Sequence, residues 1–336
     1  MNLYRKAIES LDWKNGAIVI GHKSPDGDSV MAALAYARLM QSLGFSVVAK
    51  MAGKANNETL FAAKSFNIEL PEVLDKVTPS DRLILVDHSD YAQAVDGARD
   101  ARILQVIDHH GIGDITESKL LYAKYMPVGS TCSIVYTSYR ELGVEISGDV
   151  ARILFAGILS DTLNLKKVTV TDVDRLIYEE LLGILAGEWS VDLVAAGQKV
   201  GEIFNGMVEA AHDFSSMTNE EIFNSDAKDY VLGGVNFRLG SLDWKDATTV
   251  DEFANRMLKV MPEVATAAKN KMAFCRLGFE EKTYMLYAGT DTATTSLAKN
   301  IAEKAFGQSM RDGVIYCERR LSRKLDVVPS LTKVLL

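Results

Sequence analysis

The sequence predicts an α/β fold in which a doubly wound, mainly parallel sheet forms an N-terminal domain and a second, smaller α/β domain follows. The chain has 336 residues, which is more than one hydrophobic core usually organises. In the first half, short apolar runs alternate with segments of helical periodicity, a pattern typical of a parallel sheet. The second half contains several strand-like runs and one segment with helical spacing.

Four apolar runs predict the strands of the N-terminal sheet. They are AIVI (17–20), SVVA (46–49), LILV (83–86) and ILQVI (103–107). A polar loop follows the first run, and apolar positions at helical spacing then extend from Val30 to Met40. Two further helices are predicted in STCSIVYTSYRELG, which ends at Gly143, and in VARILFAGILSD, which ends at Asp161. Because ligands bind at the carboxyl ends of parallel strands, the polar loops after the strands are candidate site segments.

The second half predicts a separate α/β domain. YVLGGVNFRLGSL, KMAFCRLGF and TYMLYAGT have the character of strands, and TTSLAKNIAEKAF has helical spacing. The region between the halves is helical and contains no cluster of histidines with aspartates. We therefore expect the N-terminal domain at 1–190, a linker region at 191–215 and the second domain at 216–336.

Composition and charge exclude several classes of protein. Hydrophobic residues make up 48% and charged residues 24%, so disordered and collagen-like chains are excluded. The net charge of −8 without a long basic run predicts neither a nucleic-acid polymer nor an anionic membrane as partner. No apolar stretch approaches the ~20 residues of a membrane helix, and the N-terminus has no signal-peptide core, so a cytoplasmic location is expected. The three cysteines have no CxxC spacing, which favours neither a disulfide framework nor a thiolate zinc site.

The loop after the first predicted strand has the residue types of a metal site. It offers one imidazole, His22, and two carboxylates, Asp26 and Asp28, within seven residues. Mixed imidazole and carboxylate ligands suit Mn²⁺, Fe²⁺, Co²⁺ or Zn²⁺ better than Ca²⁺. The alternative interpretation is that the two aspartates only cap the following helix and that His22 is a surface residue.

Two further strands end in acidic and imidazole residues. Asp87-His88 follows the third predicted strand and Asp108-His109-His110 follows the fourth. One such aspartate is usually a turn or cap residue, but aspartates gathered at one sheet edge repel unless a cation neutralises them. Four carboxylates with two or three imidazoles exceed the needs of one ion. The sequence therefore predicts two divalent ions that share a bridging carboxylate.

Motifs along the chain identify a family resemblance. GHKSPDGDS, LVDHSD, VIDHHGI, VGSTCS and ILSDT match the DHH phosphoesterase superfamily in order and spacing, and the resemblance covers nearly the whole chain. Near the C-terminus, LSRKLDVVP resembles the DHHA2-type domain of manganese-dependent (family II) inorganic pyrophosphatases. The GGGH motif of the nanoRNase and cyclic-dinucleotide phosphodiesterase branch is absent from the sequence.

The resemblance implies an activity and a cofactor. It implies hydrolysis of inorganic pyrophosphate to two orthophosphates, in an active-site cleft between the two domains. The cofactor implied is a pair of Mn²⁺ ions that share a bridging hydroxide, with Co²⁺ or Mg²⁺ as alternative metals. A small anionic phosphate compound would be the substrate. A homodimer formed through the N-terminal sheet is common in the family.

The resemblance also implies roles for individual residues. One ion would be held by His22, Asp26 and Asp87, and the other by Asp28, Asp87, His109 and Asp161. Asp87 would therefore bridge the two ions. Asp108 would orient a ligand imidazole, and His110 would contact phosphate. For Asp161 the alternative interpretation is a helix cap, because it lies in an S-D-T sequence.

The second domain would contribute positively charged residues. The resemblance implies that Ser322, Arg323 and Lys324, together with Lys228 in NSDAKDY, bind substrate. Arginine offers a planar fork to phosphate oxygens and lysine a point charge. Arg323 and Lys324 would act in catalysis with Asp108 and His110. The alternative interpretation is solvated surface charge.

Three positions depart from the family pattern. Gly27 stands in P-D-G-D where the pyrophosphatases usually have P-D-T-D, and Gly111 follows the DHH triplet where a basic residue is common. FRLGSL replaces a glutamine-valine pattern. These departures keep two alternatives open: a related DHH/DHHA2 phosphohydrolase acting on short polyphosphate or a nucleotide phosphate, and a weakly catalytic regulator that binds metal or nucleotide.

Overall fold

The computed structural model describes residues 2–115, 121–215 and 217–336. The chain divides into two compact units, of which the first ends at Ala211 and the second extends from His212 to Leu336. Residue 216, where the sequence placed the start of the second domain, lies outside the described residues. None of the helices in the described ranges is both long and apolar enough to cross a membrane.

The first unit contains five strands and seven helices among its described residues. In chain order they are α1 (Leu3–Glu9), β1 (Ala17–Ile20), α2 (Gly27–Ser42), β2 (Val47–Lys50), α3 (Asn57–Ser65), β3 (Arg82–Val86), β4 (Arg102–Asp108), β5 (Tyr122–Tyr125), α4 (Thr131–Leu142), α5 (Gly148–Thr162), α6 (Asp172–Trp189) and α7 (Leu193–Ala211).

The strands of this unit form one parallel sheet in the order β2-β1-β3-β4-β5. This is a common order of doubly wound sheets, and the predicted fold class is confirmed. The four predicted strands lie within one residue of their observed positions. β5 was not predicted from the sequence, and none of its four residues has a fully buried side chain. The strand order reverses between β1 and β3, the place where such sheets bind ligands.

Both faces of the sheet are covered. Along β3, Ile84 and Val86 pack into the larger core, which contains residues of α2, α4, α5 and α6. Leu83 and Leu85 point the other way and pack against Val77 and residues of the turn-rich segment 94–101. A strand buried on both faces is an uninterrupted apolar run, which explains why the sequence identified β3 clearly.

Helix α7 occupies most of the segment 191–215, where the sequence placed a linker. Its residues Val200, Ile203, Phe204 and Met207 follow helical spacing and are buried in the core of the first unit. Gly206 lies so close to α3 that a Cβ atom there would be 2.2 Å from Cζ of Phe61. The segment is therefore part of the first unit, because its apolar face is buried there.

The second unit is a mixed sheet with helices on its two faces. Its elements are α8 (Asn219–Asn224), β6 (Ala227–Leu232), β7 (Val235–Asp243), α9 (Val250–Ala267), β8 (Met272–Phe279), β9 (Lys282–Gly289), α10 (Thr292–Phe306), β10 (Ser309–Arg311), β11 (Val314–Cys317), a π-helical turn (Arg323–Val327) and α11 (Val328–Leu335). The strand order is β10-β11-β9-β8-β7-β6, antiparallel except for the pair β7 and β8.

Alternation along β8 explains the two layers of helices. Ala273 and Cys275 pack in one core with residues of α9, whereas Met272 and Phe274 pack in another with residues of α10 and α11. Neighbouring side chains of a strand point to opposite faces, so a strand between two layers is apolar throughout. The second α/β unit predicted from the sequence is thus present.

Candidate metal centre

His22 is the first imidazole of the site and lies just after β1. The ring is buried, and its Nδ1 lies 2.8 Å from the carbonyl oxygen of Lys23. Its Nε2 lies 3.5 Å from Oδ2 of Asp26 and 3.3 Å from Oδ2 of Asp87. A hydrogen bond to a carbonyl places the proton on Nδ1, so the lone pair of Nε2 is directed at the two carboxylates.

Asp26 both caps a helix and faces His22. Its Oδ1 accepts a hydrogen bond from the Ser29 backbone N–H at 3.0 Å, which caps α2, while Oδ2 is the atom near the imidazole. The capping and ligand interpretations of Asp26 are therefore compatible. His22 is buried and is not the surface residue of the alternative interpretation.

Asp28 is held by the N-terminus of another helix. It is fully buried in the first turn of α2 and accepts hydrogen bonds from Ser130 Oγ at 2.6 Å, Thr131 N at 2.6 Å and Cys132 N at 3.0 Å. The start of α4 favours a negative charge because its backbone N–H groups point outward. These three hydrogen bonds restrict the orientation of the Asp28 carboxylate.

Asp87 lies between the two imidazoles. Its Oδ2 faces His22, and its Oδ1 lies 3.4 Å from Nε2 of His109 and accepts a hydrogen bond from Thr131 Oγ1 at 2.9 Å. The residue has a φ of +62°, which is left-handed, and its backbone N–H donates to Ile107 at 2.9 Å. Such strained conformations concentrate at functional sites. This position is the one predicted for a bridging ligand.

His109 and Asp161 complete the cluster. His109 follows β4, with Nδ1 2.9 Å from the carbonyl oxygen of Val128 and Nε2 3.1 Å from Oδ2 of Asp161. Asp161 is the penultimate residue of α5, and its Oδ1 lies 2.5 Å from Nζ of Lys167. Each oxygen of the Asp161 carboxylate therefore has its own neighbour.

The structure brings the six predicted metal ligands together. Among the described residues, three groups have ligand atoms within 4.8 Å of one another: Asp87, His109 and His110; His22, Asp26 and Asp87; and Asp28, His109 and Asp161. The second and third groups contain all six predicted ligands. Asp87 occurs in two of the three groups.

The electrostatics of the cluster fit divalent cations. Burial, with the charges of Asp87 and Asp161, raises the pKa of Asp28 to about 8. Burial also raises the pKa of Asp87, but hydrogen bonds with His109 and His22 outweigh it and hold that pKa well below its usual range. Burial lowers the pKa of His109, whereas Asp87 and Asp161 raise it to about 9. The carboxylates need positive charge beside them, and two oriented imidazole nitrogens with carboxylate oxygens suit Mn²⁺.

Asp108 contacts a different imidazole from the one expected. The sequence assigned it to a ligand imidazole, but its Oδ1 contacts both the backbone N–H and Nδ1 of His110 at 2.9 Å. Its Oδ2 accepts a hydrogen bond from Ser89 Oγ at 3.0 Å. Because Nδ1 of His110 is engaged, Nε2 is the nitrogen left to face a substrate. The role of ligand orientation for His109 falls to the Val128 carbonyl.

His88 is a structural neighbour of the cluster. It is buried, and its Nδ1 lies 2.9 Å from the carbonyl oxygen of Val86. Burial, with the nearby charge of His22, lowers its pKa to about 4, so the ring is neutral at pH 7. The sequence pattern indicated Asp87 and His88 together as candidate metal-site residues. The three ligand groups found among the described residues do not include His88.

The substrate-binding residues predicted in the second unit lie in two neighbouring segments. Nη1 of Arg323 contacts Oδ1 of Asp226 at 2.6 Å and its carbonyl oxygen at 3.1 Å. This pair joins the segment containing Ser322 and Lys324 to the start of β6, where Lys228 lies almost fully buried. Ser322 caps the π-helical turn through a hydrogen bond from the Leu325 N–H at 3.3 Å.

The departures from the family pattern differ in their surroundings. A Cβ atom on Gly27 would lie 2.6 Å from Oγ of Ser160, so close packing of α2 on α5 requires glycine there. Gly111 is exposed, and apart from its two neighbours in the chain no residue has an atom within 4 Å of the place where its Cβ would be. FRLGSL lies in β7, where Arg238 contacts Asp229 of β6 at 2.8 Å.

Sequence reasoning missed four residues that support the cluster. Ser130 and Thr131 donate to Asp28 and Asp87, and they were predicted only as residues at the start of a helix. Asp174 is buried and holds the loop before α4 through Gly129 at 2.8 Å. Lys167 contacts Asp161. The only signal for Asp174 was its place three residues after Thr171 in a capping sequence, and Lys167 had none.

Comparison with known proteins agrees with this architecture. The model of the DHH family N-terminal domain matches residues 17–158, and that of the DHHA2 domain matches residues 205–334. These two matches define the class: a two-domain protein of the DHH type. A manganese-dependent inorganic pyrophosphatase of Methanothrix thermoacetophila is 37% identical over 316 residues, covering 93% of this chain and 96% of that relative.

Further relatives support the same assignment. A probable manganese-dependent inorganic pyrophosphatase of Exiguobacterium sp. is 34% identical and covers 94% of this chain and 97% of its own length. A crystal structure from Methanococcus jannaschii assigned to family II inorganic pyrophosphatases superposes with a TM-score of 0.79 at 25% identity, covering 94% of this chain and 98% of that chain. The chain belongs to the family of manganese-dependent inorganic pyrophosphatases.

Proposed function

We propose that this protein hydrolyses inorganic pyrophosphate to two orthophosphates with a pair of Mn²⁺ ions. The observation that carries the proposal is the convergence of carboxylate and imidazole ligand atoms, within 4.8 Å of one another in each group, at the switch point of the parallel sheet. Two divalent ions can support several hydrolytic reactions, and membership of this family favours the hydrolysis of pyrophosphate.

We assign the ligands as the sequence predicted them. His22, Asp26 and Asp87 hold one ion, and Asp28, Asp87, His109 and Asp161 hold the other. When bound, two ions lower the pKa of a water molecule and supply a hydroxide near neutral pH for attack on phosphorus. Val128 and Lys23 fix the proton on Nδ1 of the two ligand imidazoles through their carbonyl oxygens. This leaves both Nε2 lone pairs available to the ions.

The remaining residues act on the substrate. His110, oriented by Asp108, presents Nε2 to a phosphate oxygen. Arg323, Lys324 and Lys228, with Ser322, bind the other phosphate oxygens and balance the charge of the leaving phosphate. Stabilising charge on these oxygens is the main catalytic requirement in phosphoryl transfer.

The test is phosphate release by the metal-free chain after addition of Mn²⁺, Co²⁺ or Mg²⁺. Pyrophosphate, tripolyphosphate, long polyphosphate, pAp and cyclic dinucleotides are compared at equal concentration. We expect pyrophosphate to be the preferred substrate and Mn²⁺ the preferred ion. Preference for tripolyphosphate or a nucleotide would refute pyrophosphate as the substrate, but it would not contradict the assignment of the metal ligands. Two bound ions without turnover of any compound would indicate a regulator.

The assembly and location are also proposals. We infer that the substrate is the small anionic partner of this protein, that the chain forms a homodimer, and that it acts in the cytoplasm. Sedimentation equilibrium of the purified chain tests the dimer, for which a single species of 36.9 kDa would be the contrary result. Fractionation of the source cells tests the location.

A further inference from the structure

The chain turns sharply after α5 at a backbone cost. Leu163, Asn164 and Leu165 have φ values of +49°, +52° and +63°, so three successive residues with side chains adopt the left-handed region. This region is unfavourable for residues other than glycine and asparagine, so the strain falls on the two leucines and persists only where the surroundings hold it. We therefore expect neighbouring residues to make contacts that hold this turn in its left-handed conformation.

Several hydrogen bonds hold the strained turn. The backbone N–H of Leu165 donates to Oγ1 of Thr162 at 3.1 Å, and that of Lys167 donates to the Thr162 carbonyl at 2.9 Å. The hydroxyl of Tyr178 in α6 donates to Oδ1 of Asn164 at 3.0 Å. These bonds bring the chain back over the last turn of α5, which contains Asp161.

The turn places the Lys167 ammonium group against Asp161. Nζ lies 2.5 Å from Oδ1, and the other oxygen, Oδ2, lies 3.1 Å from Nε2 of His109. The lysine therefore contacts one carboxylate oxygen, while the other faces the Nε2 atom of the ligand His109. The neighbouring Lys166 is exposed, and its Nζ lies 5.9 Å from the ring centre of Phe204.

We propose that Lys167 is a positioning residue of the metal centre, which holds Asp161 by Oδ1 so that Oδ2 alone is offered to the second ion. The inference rests on the proposed metal centre and goes beyond the ligands assigned there. An ammonium group bound to one carboxylate oxygen restricts the rotation of the side chain. It also prevents the carboxylate from binding the ion through both oxygens.

Two opposing effects decide whether removal of the Lys167 ammonium group weakens or strengthens Mn²⁺ binding. The positive charge of Lys167 repels a metal ion, whereas the ordering of Asp161 favours binding. The Lys167 side chain is 33% exposed, so water screens the repulsion. The restriction on the carboxylate is not screened, and loss of such supporting contacts typically costs about 10–100-fold in metal affinity. Ordering is therefore the larger effect.

The experiment is a Mn²⁺ titration of the metal-free full chain, with free Mn²⁺ measured by electron paramagnetic resonance. In Lys167→Gln we expect one of the two Mn²⁺ affinities to fall about tenfold while the other is unchanged. Lys167→Arg, which keeps a cation in reach of Oδ1, should recover most of the loss. Lys166→Gln is the matched control and should bind as the original chain does.

A double-mutant comparison tests whether the lysine acts through Asp161. Asp161→Ala and the double variant Asp161→Ala with Lys167→Gln should bind Mn²⁺ equally, because alanine has no oxygen that Lys167 could hold. Unchanged or tighter binding in Lys167→Gln, equal weakening of both ions, or a further loss in the double variant would each overturn the proposal. Thermal melting of the metal-free chains checks folding, and Lys167→Met replaces the glutamine variant if that one does not fold.

Pyrophosphate hydrolysis by the original chain is measured in parallel. An original chain that binds two Mn²⁺ ions but releases no phosphate would refute the proposed function. The Mn²⁺ affinities of the Lys167 variants would still decide the role of this residue. The two proposals can therefore fail separately.

Discussion

The carboxylate of Asp174 accepts a hydrogen bond from the backbone N–H of Gly129 at 2.8 Å, which ties α6 to the loop before α4. Its other oxygen accepts from Ser133 Oγ at 2.6 Å. A Cβ atom on Gly129 would lie 3.1 Å from this carboxylate, so the approach is close. Asp174 therefore fixes, from outside the metal centre, the loop whose next residues donate to Asp28.

Asp174→Asn should weaken both the fold and the metal centre. An amide has one acceptor oxygen where the buried carboxylate has two, so at least one bond to Gly129, Ser133 or Thr171 is lost. We expect a fall of about 1–3 kcal/mol in the free energy of unfolding, measured by urea denaturation of the metal-free chain. Asp172→Asn, exposed on the same helix, is the control. Equal urea midpoints for the two variants would contradict the anchoring role.

Asp87→Asn should remove the shared ligand of both ions. The neutral amide neither bridges two cations nor balances their charge, so Mn²⁺ binding should be lost and activity should fall by more than the ~100-fold cost of losing a single hydrogen-bond donor. Equilibrium dialysis measures the bound Mn²⁺. Asp75→Asn, an exposed substitution in the same unit, should bind two ions. A variant at position 87 that retained both ions would remove the basis of the assignment.

Thr131→Val tests the hydroxyl that holds Asp87. Valine preserves the shape and the backbone N–H that donates to Asp28 at 2.6 Å, but it removes the 2.9 Å bond to Asp87. We expect Mn²⁺ affinity to fall by about tenfold. Thr131→Ser, which keeps a hydroxyl, should bind close to normally. If serine and valine variants behave alike, the hydroxyl has no part in placing the carboxylate.

Lys324→Ala should affect substrate use without affecting the ions. Loss of a charged contact to phosphate costs about 1.5–3 kcal/mol, which corresponds to a fall of about 10–150-fold in kcat/KM for pyrophosphate. Both Mn²⁺ affinities should stay unchanged. Lys333→Ala, on exposed α11 surface, is the matched control. Parallel loss of Mn²⁺ binding in Lys324→Ala would show that the residue does not act on substrate alone.

Gly111→Arg should improve pyrophosphate use. The position is exposed and has room for a side chain, so an arginine is tolerated there. A guanidinium group beside His110 adds a phosphate-binding fork, and we expect the KM to fall several-fold. Gly111→Ala controls for the loss of glycine. A KM that is the same in the alanine and arginine variants would show that position 111 does not face the substrate.

The sequence predicted the first unit well where burial determines the residue pattern. β3 and β4 are apolar because both faces of the sheet are covered, and the polar residues Asp87 and His109 begin where the strands end. Parallel strands end at one edge, so convergence of these residues followed from topology. The doubly wound fold and the clustering of ligands were predictable for this reason.

Supporting contacts were not predictable. Lys167 follows a turn in which Leu163, Asn164 and Leu165 are left-handed, a conformation that asparagine tolerates but the two leucines rarely adopt. That α7 belongs to the first unit was not predictable for a different reason. Its apolar spacing at Val200 and Phe204 indicates an amphipathic helix, but spacing does not say which core buries it.

The spread of the six ligands along the chain has a consequence during synthesis. The last strand of the parallel sheet ends at Tyr125, whereas Asp161 comes from α5 near the end of that helix. A nascent chain can therefore complete every strand of this sheet before it has all its ligands. The ligands assigned to the second ion are complete only once Asp161 has been synthesised, so binding of that ion would stabilise only a chain that already contains α5.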